Sequence, residues 1–278
     1  MRQYLDIMQK ILDEGIEKKD RTGVGTLSIF GTQAKYDLST GKFPLMTTKK
    51  LFTRGIIEEL IWILSGSGDI EELEKKNVNI WSAWKDPDGE KYAPYGPMWR
   101  SWPKRSENTM YTEYGMLPIP ETIDQLGEVI EEIKNNPGSR RLIVSAWNPG
   151  EMKDFVLPPC HAFYQFYVRG EYLDLQLYQR SCDWFLGVPF NVAEYSLLLM
   201  MIAQVTGYKP GIFTHTTGDT HLYLNTIEQA KLQLSREPKE LPIMKINPEV
   251  KSIDDFKYED FELIGYDPWP HIKAEVAV

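Results

Sequence analysis

Cysteine is scarce in this chain, with only Cys160 and Cys182 among 278 residues. Two thiols without metal-ligand spacing exclude a disulfide framework and a zinc site, so a reducing, cytoplasmic setting and no bound metal are expected. Long apolar runs are missing too. The most hydrophobic stretch, Tyr195-Ser-Leu-Leu-Leu-Met-Met-Ile-Ala203, is about half the length of a membrane span and reads as the middle of a buried helix, so no membrane association is expected. The opening Met1-Arg-Gln-Tyr-Leu-Asp6 has the pattern of an amphipathic helix and not that of a secretory signal. No Gly/Ser linker, low-complexity run or internal repeat divides the chain, which predicts one domain over residues 1–278. Nor is there an excess of positive charge: 31 basic residues face 40 acidic ones, a net charge of −9. That balance excludes DNA as a partner held by broad phosphate neutralisation and disfavours RNA. An anionic ligand would need a local arginine cluster, acting within the roughly 8–10 Å over which salt screens distant charges.

What is present is a globular composition, 42% hydrophobic and 12% aromatic. Tyr4, Ile7, Met8, Ile11 and Leu12 recur at helical spacing and predict a helix reaching about Glu17. A loop at 21–26 with two glycines precedes a short strand at 27–30. Helices are predicted at 53–64, 71–76 and 123–136, the last stopped by Asn136-Pro-Gly138. Strands follow at 141–147 and, as a hairpin about Gly170-Glu171, at 161–168 and 172–178. Residues 191–206 are apolar nearly all round, the mark of a core helix; a strand at 213–218 and a helix at 221–235 complete the reading. Helices and strands mix without regular βαβ alternation, so the fold class is α+β. The segment 106–120 reads as an insertion or loop and receives no function.

The chemistry concentrates in about thirty residues: Pro159-Cys160-His161, Gln179-Arg-Ser-Cys-Asp183 and Gly187-Val-Pro-Phe-Asn191. A thiol beside a fixed cation such as Arg180 favours thiolate, the nucleophilic form. A carboxamide both donates and accepts, so Asn191 can read the edge of a heterocycle; its other reading is a helix N-cap, since a long helix follows. Together these residues point to covalent catalysis on a base-like ring. A Cys-His dyad is the competing idea. Neighbours on a strand point to opposite faces, so His161 is not expected to take a proton from Cys160. Cys182 reads as a small buried hydrophobe.

These residues belong to an ordered set that resembles the thymidylate synthase family over essentially the whole chain. The set comprises Asp20-Arg-Thr-Gly-Val-Gly-Thr26, Phe43-Pro-Leu-Met-Thr-Thr-Lys49, Glu59-Leu-Ile-Trp62, Asn79-Ile-Trp81, Ser139-Arg-Arg141 and Ser145-Ala-Trp-Asn148. The Cys160 segment, Gly218-Asp-Thr-His-Leu-Tyr223 and the tail Ala277-Val278 complete it. The resemblance implies a large mixed sheet packed by helices, with one sheet face forming a homodimer interface. It implies reductive methylation of deoxyuridine monophosphate (dUMP) to dTMP by 5,10-methylenetetrahydrofolate, which leaves as dihydrofolate.

By the same resemblance, Cys160 adds to C6 of the uracil ring, and Arg21, Arg180 and Ser181 hold the phosphate together with Arg140 and Arg141 of the neighbouring subunit. Asn191 reads the base, with a carboxylate there suiting cytosine instead. His221 and Tyr223 meet the sugar, His161 assists through water, and Tyr95 serves loss of the C5 proton. Asp183 bonds the pterin, which Ile80, Trp81, Trp84, Leu186, Gly187 and Phe190 wall, with Tyr223 and Ala277 nearby. Lys49 and Lys50 are placed at the folate's glutamate tail. Glu59, in an apolar helix where burial would raise its pKa, is the expected proton carrier; Glu58 is expected to face elsewhere and lie exposed. Three residues depart from the family's pattern: Met98, Trp184 and Glu194. Two other functions compete. A deoxyuridylate hydroxymethylase would admit water to the methylene intermediate, which a bulky Trp81 opposes. A regulator that binds nucleotide or RNA without turnover is opposed by the acidic charge and the Cys160, Glu59 and Asn191 set.

Overall fold

A computed structural model describes residues 1–104 and 121–277, with the backbone of two strands at 109–112 and 115–118. Parts of the 106–120 segment, and Val278, lie outside the described residues. In chain order the elements are α1 (Arg2–Glu14), β1 (Ile16–Lys18), β2 (Thr26–Asp37), α2 (Thr53–Leu64), α3 (Ile70–Lys75), α4 (Tyr95–Arg100) and β3 (Trp102–Lys104). There follow β4 (Thr109–Thr112), β5 (Gly115–Pro118), β6 (Glu121–Ile123), α5 (Gln125–Asn135), β7 (Ile143–Ser145), β8 (His161–Arg169) and β9 (Tyr172–Asp183). The last are α6 (Gly187–Thr206), β10 (Lys209–Tyr223), α7 (Ile227–Leu234), β11 (Ile243–Ile246) and β12 (Phe261–Ile264).

Six strands make the main sheet, in the order β1-β2-β10-β9-β8-β7. Only the β9–β10 pair is parallel, and its crossover is the long helix α6. The sheet is therefore mixed and the class α+β, as the sequence predicts. The β8–β9 hairpin turns at Gly170 and Glu171, where Gly170 takes φ +61°, a conformation that costs a residue without Cβ little. Along β8, Tyr164 and Phe166 point into the core while Phe163 and Tyr167 stand out of the opposite face, Tyr167 being 63% exposed. Gln176, Thr216 and Gln33 continue that outer face through a hydrogen-bonded row.

Helix α6 packs on the inner face. It is long and apolar enough to cross a membrane by length and composition, but most of it is buried inside the fold, as befits a core helix. It begins at Gly187, four residues before the expected start, so Asn191 lies inside the first turns and is not a cap. Pro189 is accommodated because the first N–H groups of a helix have no intrahelical acceptor to lose.

Other boundaries differ from the sequence reading as well, among them β9, which runs on past Tyr178 to Asp183, and β7, which is confined to Ile143–Ser145. Helix α1 stops at Glu14, and Ile16 to Lys18 pair with β2 instead of extending the helix. Strand β2 continues past Phe30 through Gly31, at φ +78°, to Asp37. Helix α5 starts at Gln125, where Asp124 accepts from Gly127 N at 2.9 Å as N-cap; Ile123 belongs to β6. Strand β10 runs to Tyr223, so His221 and Tyr223 project from a strand and not from the helix expected at 221–235.

Candidate active site

The C-terminal half of β9 faces a cleft of about 660 Å³. Gln179, Ser181 and Asp183, alternate residues of that strand, line it, as does Arg180, whose side chain folds back toward the turn before β8. The mouth is formed by residues 18–22, one wall by Ile80, Trp81 and Trp84, and another by Leu186, Gly187, Phe190 and Asn191 at the start of α6. Glu59 from α2, Tyr95 from α4, Cys160 and His161 from β8 and its approach, and His221 and Tyr223 from β10 complete the lining, with Val276 and Ala277 of the tail.

Cys160 sits half-buried at the head of β8. Its N–H and that of His161 both donate to the Tyr95 hydroxyl, at 3.0 and 3.3 Å, which fixes the thiol-bearing turn. Tyr95, buried and near the Cys160 charge, has its pKa raised well above the ordinary phenol value, so it acts as a neutral hydroxyl. His161 stacks on Tyr95 with ring centroids 4.9 Å apart. Burial lowers its pKa to about 4, leaving a neutral ring unsuited to drawing a proton from Cys160.

The Arg180 guanidinium donates through Nε to Pro159 O at 2.9 Å and through Nη2 to Pro158 O at 2.8 Å, and lies over the Trp147 ring. The expectation that this cation makes Cys160 a thiolate is not met in the ligand-free protein. Burial pushes the thiol up, Arg180 only partly pulls it back, and the Asp183 carboxyl adds to the rise. Desolvation outweighs a single cation, two of whose five donors are spent on carbonyls. Cys182 is fully buried, with Sγ against Gln179 O at 3.5 Å, a packing role.

Asn191 is oriented by a chain of hydrogen bonds. Ser181 O can only accept, and it takes a bond from Gln179 Nε2 at 3.1 Å, which settles which end of the Gln179 amide is which. The same nitrogen donates to Asn191 Oδ1 at 3.1 Å, and Gln179 Oε1 accepts from His215 Nε2 at 2.8 Å. His215, its pKa lowered to about 3 by burial, is the neutral donor of that pair. With Oδ1 turned toward Gln179, Asn191 Nδ2 is left to donate into the cleft. Gln179 was not singled out from the sequence; its alternation with Ser181 and Asp183 on β9 was the available signal.

Other side chains are held in similar ways. Asp183 Oδ1 accepts from Phe185 N and Leu186 N, each at 3.1 Å, shaping the turn into α6. His221 Nδ1 lies 3.0 Å from Asp219 Oδ1, which also accepts from Ser28 at 2.8 Å. Hydrogen bonding from His221 is the leading reason that the Asp219 carboxyl sits well below the usual range. Asp20 ties the 20–25 loop through Thr22 N, Thr22 Oγ1 and Gly25 N, at 3.0, 2.7 and 2.7 Å, and so presents Arg21 at the mouth. Asp219, Lys18 and Lys19 also line the cleft without having been foreseen.

Glu59 bonds Trp81 Nε1 at 2.6 Å. Burial raises its pKa to about 7, with the indole N–H pulling the other way. The Trp81 ring is boxed by Trp62, Trp84 and Tyr95, with centroids 6.1, 6.1 and 5.9 Å away. Next to it, Trp84 Nε1 is buried without a hydrogen-bond partner among the described residues.

Lys49 and Glu58 lie elsewhere than expected. Lys49 is 3% exposed; its ammonium bonds Phe185 O and lies over the Phe185 ring, and burial lowers its pKa to about 7 against the opposing Asp183 charge. It is thus turned inward and does not line the cleft, whereas Lys50 is exposed. Glu58 does face away from Glu59 but is buried, held by Lys76 Nζ at 2.8 Å and approached by Arg54 at 4.0 Å. Arg140 and Arg141 are exposed outside their own subunit's cleft, Arg141 beside a separate hollow with Glu128 and Glu132.

A family model described as Thymidylate synthase matches residues 2–278. The chain belongs to the thymidylate synthase family. Thymidylate synthase family membership implies an enzyme of the methyltransferase type, acting in dTMP biosynthesis, that uses methylenetetrahydrofolate. The family also contains hydroxymethylases, so the product is a separate question.

Proposed function

We propose that this protein is a thymidylate synthase that converts dUMP to dTMP with 5,10-methylenetetrahydrofolate. The observation that carries this reading is the fixed carboxamide of Asn191 in the same cleft as Cys160. Held by Gln179 and hydrogen-bonded with His161, it offers Nδ2 as a donor to O4 of uracil, with Oδ1 exchanging one of its bonds for N3–H. Cytosine reverses that pattern and loses on both counts.

In this reading the phosphate lies among Arg21, Arg180 and Ser181. Of the five N–H donors of a guanidinium, Arg180 commits two to Pro158 and Pro159, so three remain for an anion. Arg140 and Arg141, exposed in their own subunit, serve the partner's phosphate across a homodimer formed on the outer sheet face. His221 and Tyr223 receive the sugar.

Cys160 Sγ, its thiol proton released to water as the nucleotide binds, adds to C6 and turns the ring into an enolate with a nucleophilic C5, dividing one difficult step into easier ones. Glu59 supplies a proton toward O4 through water as negative charge develops there, at a pKa suited to work near neutral pH. Tyr95, its oxygen fixed by two backbone N–H groups, assists removal of the C5 proton.

The folate fits the wall made by Ile80, Trp81, Trp84, Leu186, Gly187 and Phe190. The unpartnered Trp84 Nε1 and the Asp183 carboxyl are polar anchors in an otherwise apolar surface. When bound, it supplies the one-carbon unit and the hydride. Trp81, packed among three rings, excludes water from the neighbourhood of C5 and so favours a methyl over a hydroxymethyl product.

Mass spectrometry of the nucleotide product, with dUMP and methylenetetrahydrofolate supplied, tests the reading. A methylated nucleotide with stoichiometric dihydrofolate is expected, and Cys160→Ser should bind dUMP without turnover. A hydroxymethyl product, or activity surviving in Cys160→Ser, would overturn it. The localisation that accompanies this function is cytoplasmic.

A further inference from the structure

No step above employs Glu194. It lies on α6, 4% exposed, with Oε1 buried and without a hydrogen-bond partner among the described residues. Helix α2, which carries Glu59, packs on this stretch of α6. The charge of Glu59 bears directly on Glu194, and Tyr195 experiences both carboxyls. Glu59 itself has one bond, from the Trp81 indole.

Among the described residues no cation offsets either carboxyl. The titratable groups facing them are Tyr95 from α4, Tyr195 from α6, and Tyr164 and His161 from β8; His161 is neutral, as is His215 on β10. The cations on the packed elements are engaged elsewhere. Arg54 and Lys76 face Glu58, and Arg100 bonds Asp124 at 3.0 Å and Asp254 at 2.8 Å. Two desolvated carboxyls near each other and without a counter-ion cannot both ionise at neutral pH, and their protons belong to the pair.

We infer that Glu194 is a positioning residue for the proton chemistry of Glu59: the two buried carboxyls share one proton, so that Glu59 can still be found as an acid when the pH rises above neutrality. The inference rests on assigning proton transfer to Glu59. Its direct consequence belongs to the resting protein and involves no turnover. A lone Glu59 would lose its proton in a single step near pH 7, falling roughly tenfold in protonated fraction for each further pH unit. With Glu194 beside it, a proton is retained well beyond that point, because burial and the Glu59 charge both raise the Glu194 carboxyl.

Two readouts on ligand-free protein test this. The infrared band of a protonated carboxyl is expected at pH 9 in the wild type and absent in Glu194→Gln, a change that keeps side-chain size. The Trp81 indole N–H resonance, bonded to Glu59, is expected to titrate in two steps in the wild type and in one complete step near pH 7 in Glu194→Gln. At pH 8 and above, turnover of Glu194→Gln is expected to fall by about tenfold or more in kcat, with a change of less than about twofold in the KM for dUMP. Lack of the band in wild type, its persistence in Glu194→Gln, or an unchanged Trp81 titration would overturn the sharing. Wild-type kcat in Glu194→Gln, despite the spectroscopic change, would overturn the positioning role. Failure of the underlying reading has its own signature: Glu59→Gln would then turn over normally while the wild-type band is still seen. If Glu194→Gln does not fold, the wild-type band and the two-step Trp81 titration still decide the sharing.

Discussion

Replacing Glu59 with glutamine should stabilise the protein above neutral pH while removing its activity. The carboxyl's pKa rises from 4.5 to about 7 on folding because burial disfavours its charged form. Below the unfolded value both states hold the proton, and the group costs nothing. As the pH climbs from 4.5 to 7 the unfolded chain releases its proton while the folded chain keeps it, so stability declines; above 7 the loss from this first proton is complete, and a proton still held by the Glu59–Glu194 pair adds to it. At about 1.36 kcal/mol per unit the full effect is roughly 3 kcal/mol, reduced to about 2 by the residue's partial exposure to the cleft. Glutamine keeps an oxygen for the Trp81 N–H and carries no charge to desolvate. Glu59→Gln is therefore expected to gain under about 1 kcal/mol at pH 5 and about 2 kcal/mol at pH 8. For a chain of this length that corresponds to a rise of roughly 4–6 °C in Tm at pH 8. Calorimetry of both proteins at fixed concentration, since subunit association would itself shift Tm, measures the difference. An equal gain at both pH values, or none at pH 8, would refute the burial argument.

Two further outcomes follow from the site. Asn191→Asp should lower activity on dUMP and raise relative use of the cytosine nucleotide, read by competition between the two; an unchanged preference would mean that another group reads the base. Subunits carrying Cys160→Ser, mixed under exchange with subunits carrying Arg140→Ala and Arg141→Ala, should recover up to roughly half of a wild-type dimer's activity per heterodimer, because one site is then whole. No recovery despite verified exchange would place the arginines in their own subunit's site.

The sequence was most legible where a periodic pattern coincided with burial. Helix α2 lies where its apolar pattern puts it, and the β8–β9 hairpin turns at the predicted glycine. It was least legible where polar residues occupy the sheet. Thr32, Gln33 and Lys35 hide the second half of β2 because its outer face is hydrogen-bonded and not apolar. At the site, residue types were readable and environments were not. Lys49 reads as a contact for the folate's glutamate tail but finds a carbonyl and an aromatic ring inside. Glu58 reads as exposed but has Lys76 to neutralise it. Cys160 reads as activated by Arg180, yet how many donors that cation has spent, and how deeply the thiol is buried, are properties of the folded chain alone.

Most polar groups of the cleft are held in place at rest by partners that leave one function free: Asn191 by Gln179, Tyr95 by two backbone N–H groups, Arg180 by two carbonyls, His221 by Asp219. Such groups need little reorganisation when charge develops on a substrate, which is what electrostatic preorganisation requires. Cys160 and Glu59 in the cleft, and Glu194 outside its lining, differ: the charged form of each is disfavoured by desolvation. These are the groups for which a proton must move, or be kept available to move. A carboxylate comfortably paired, as Glu58 is with Lys76, would be a poor acid at neutral pH; one stripped of water and of any cation holds its proton until the reaction takes it. Among the described residues no cation stands beside Glu59 or Glu194, a cost to the fold that the proposed chemistry explains and that the stability gained by Glu59→Gln at high pH measures.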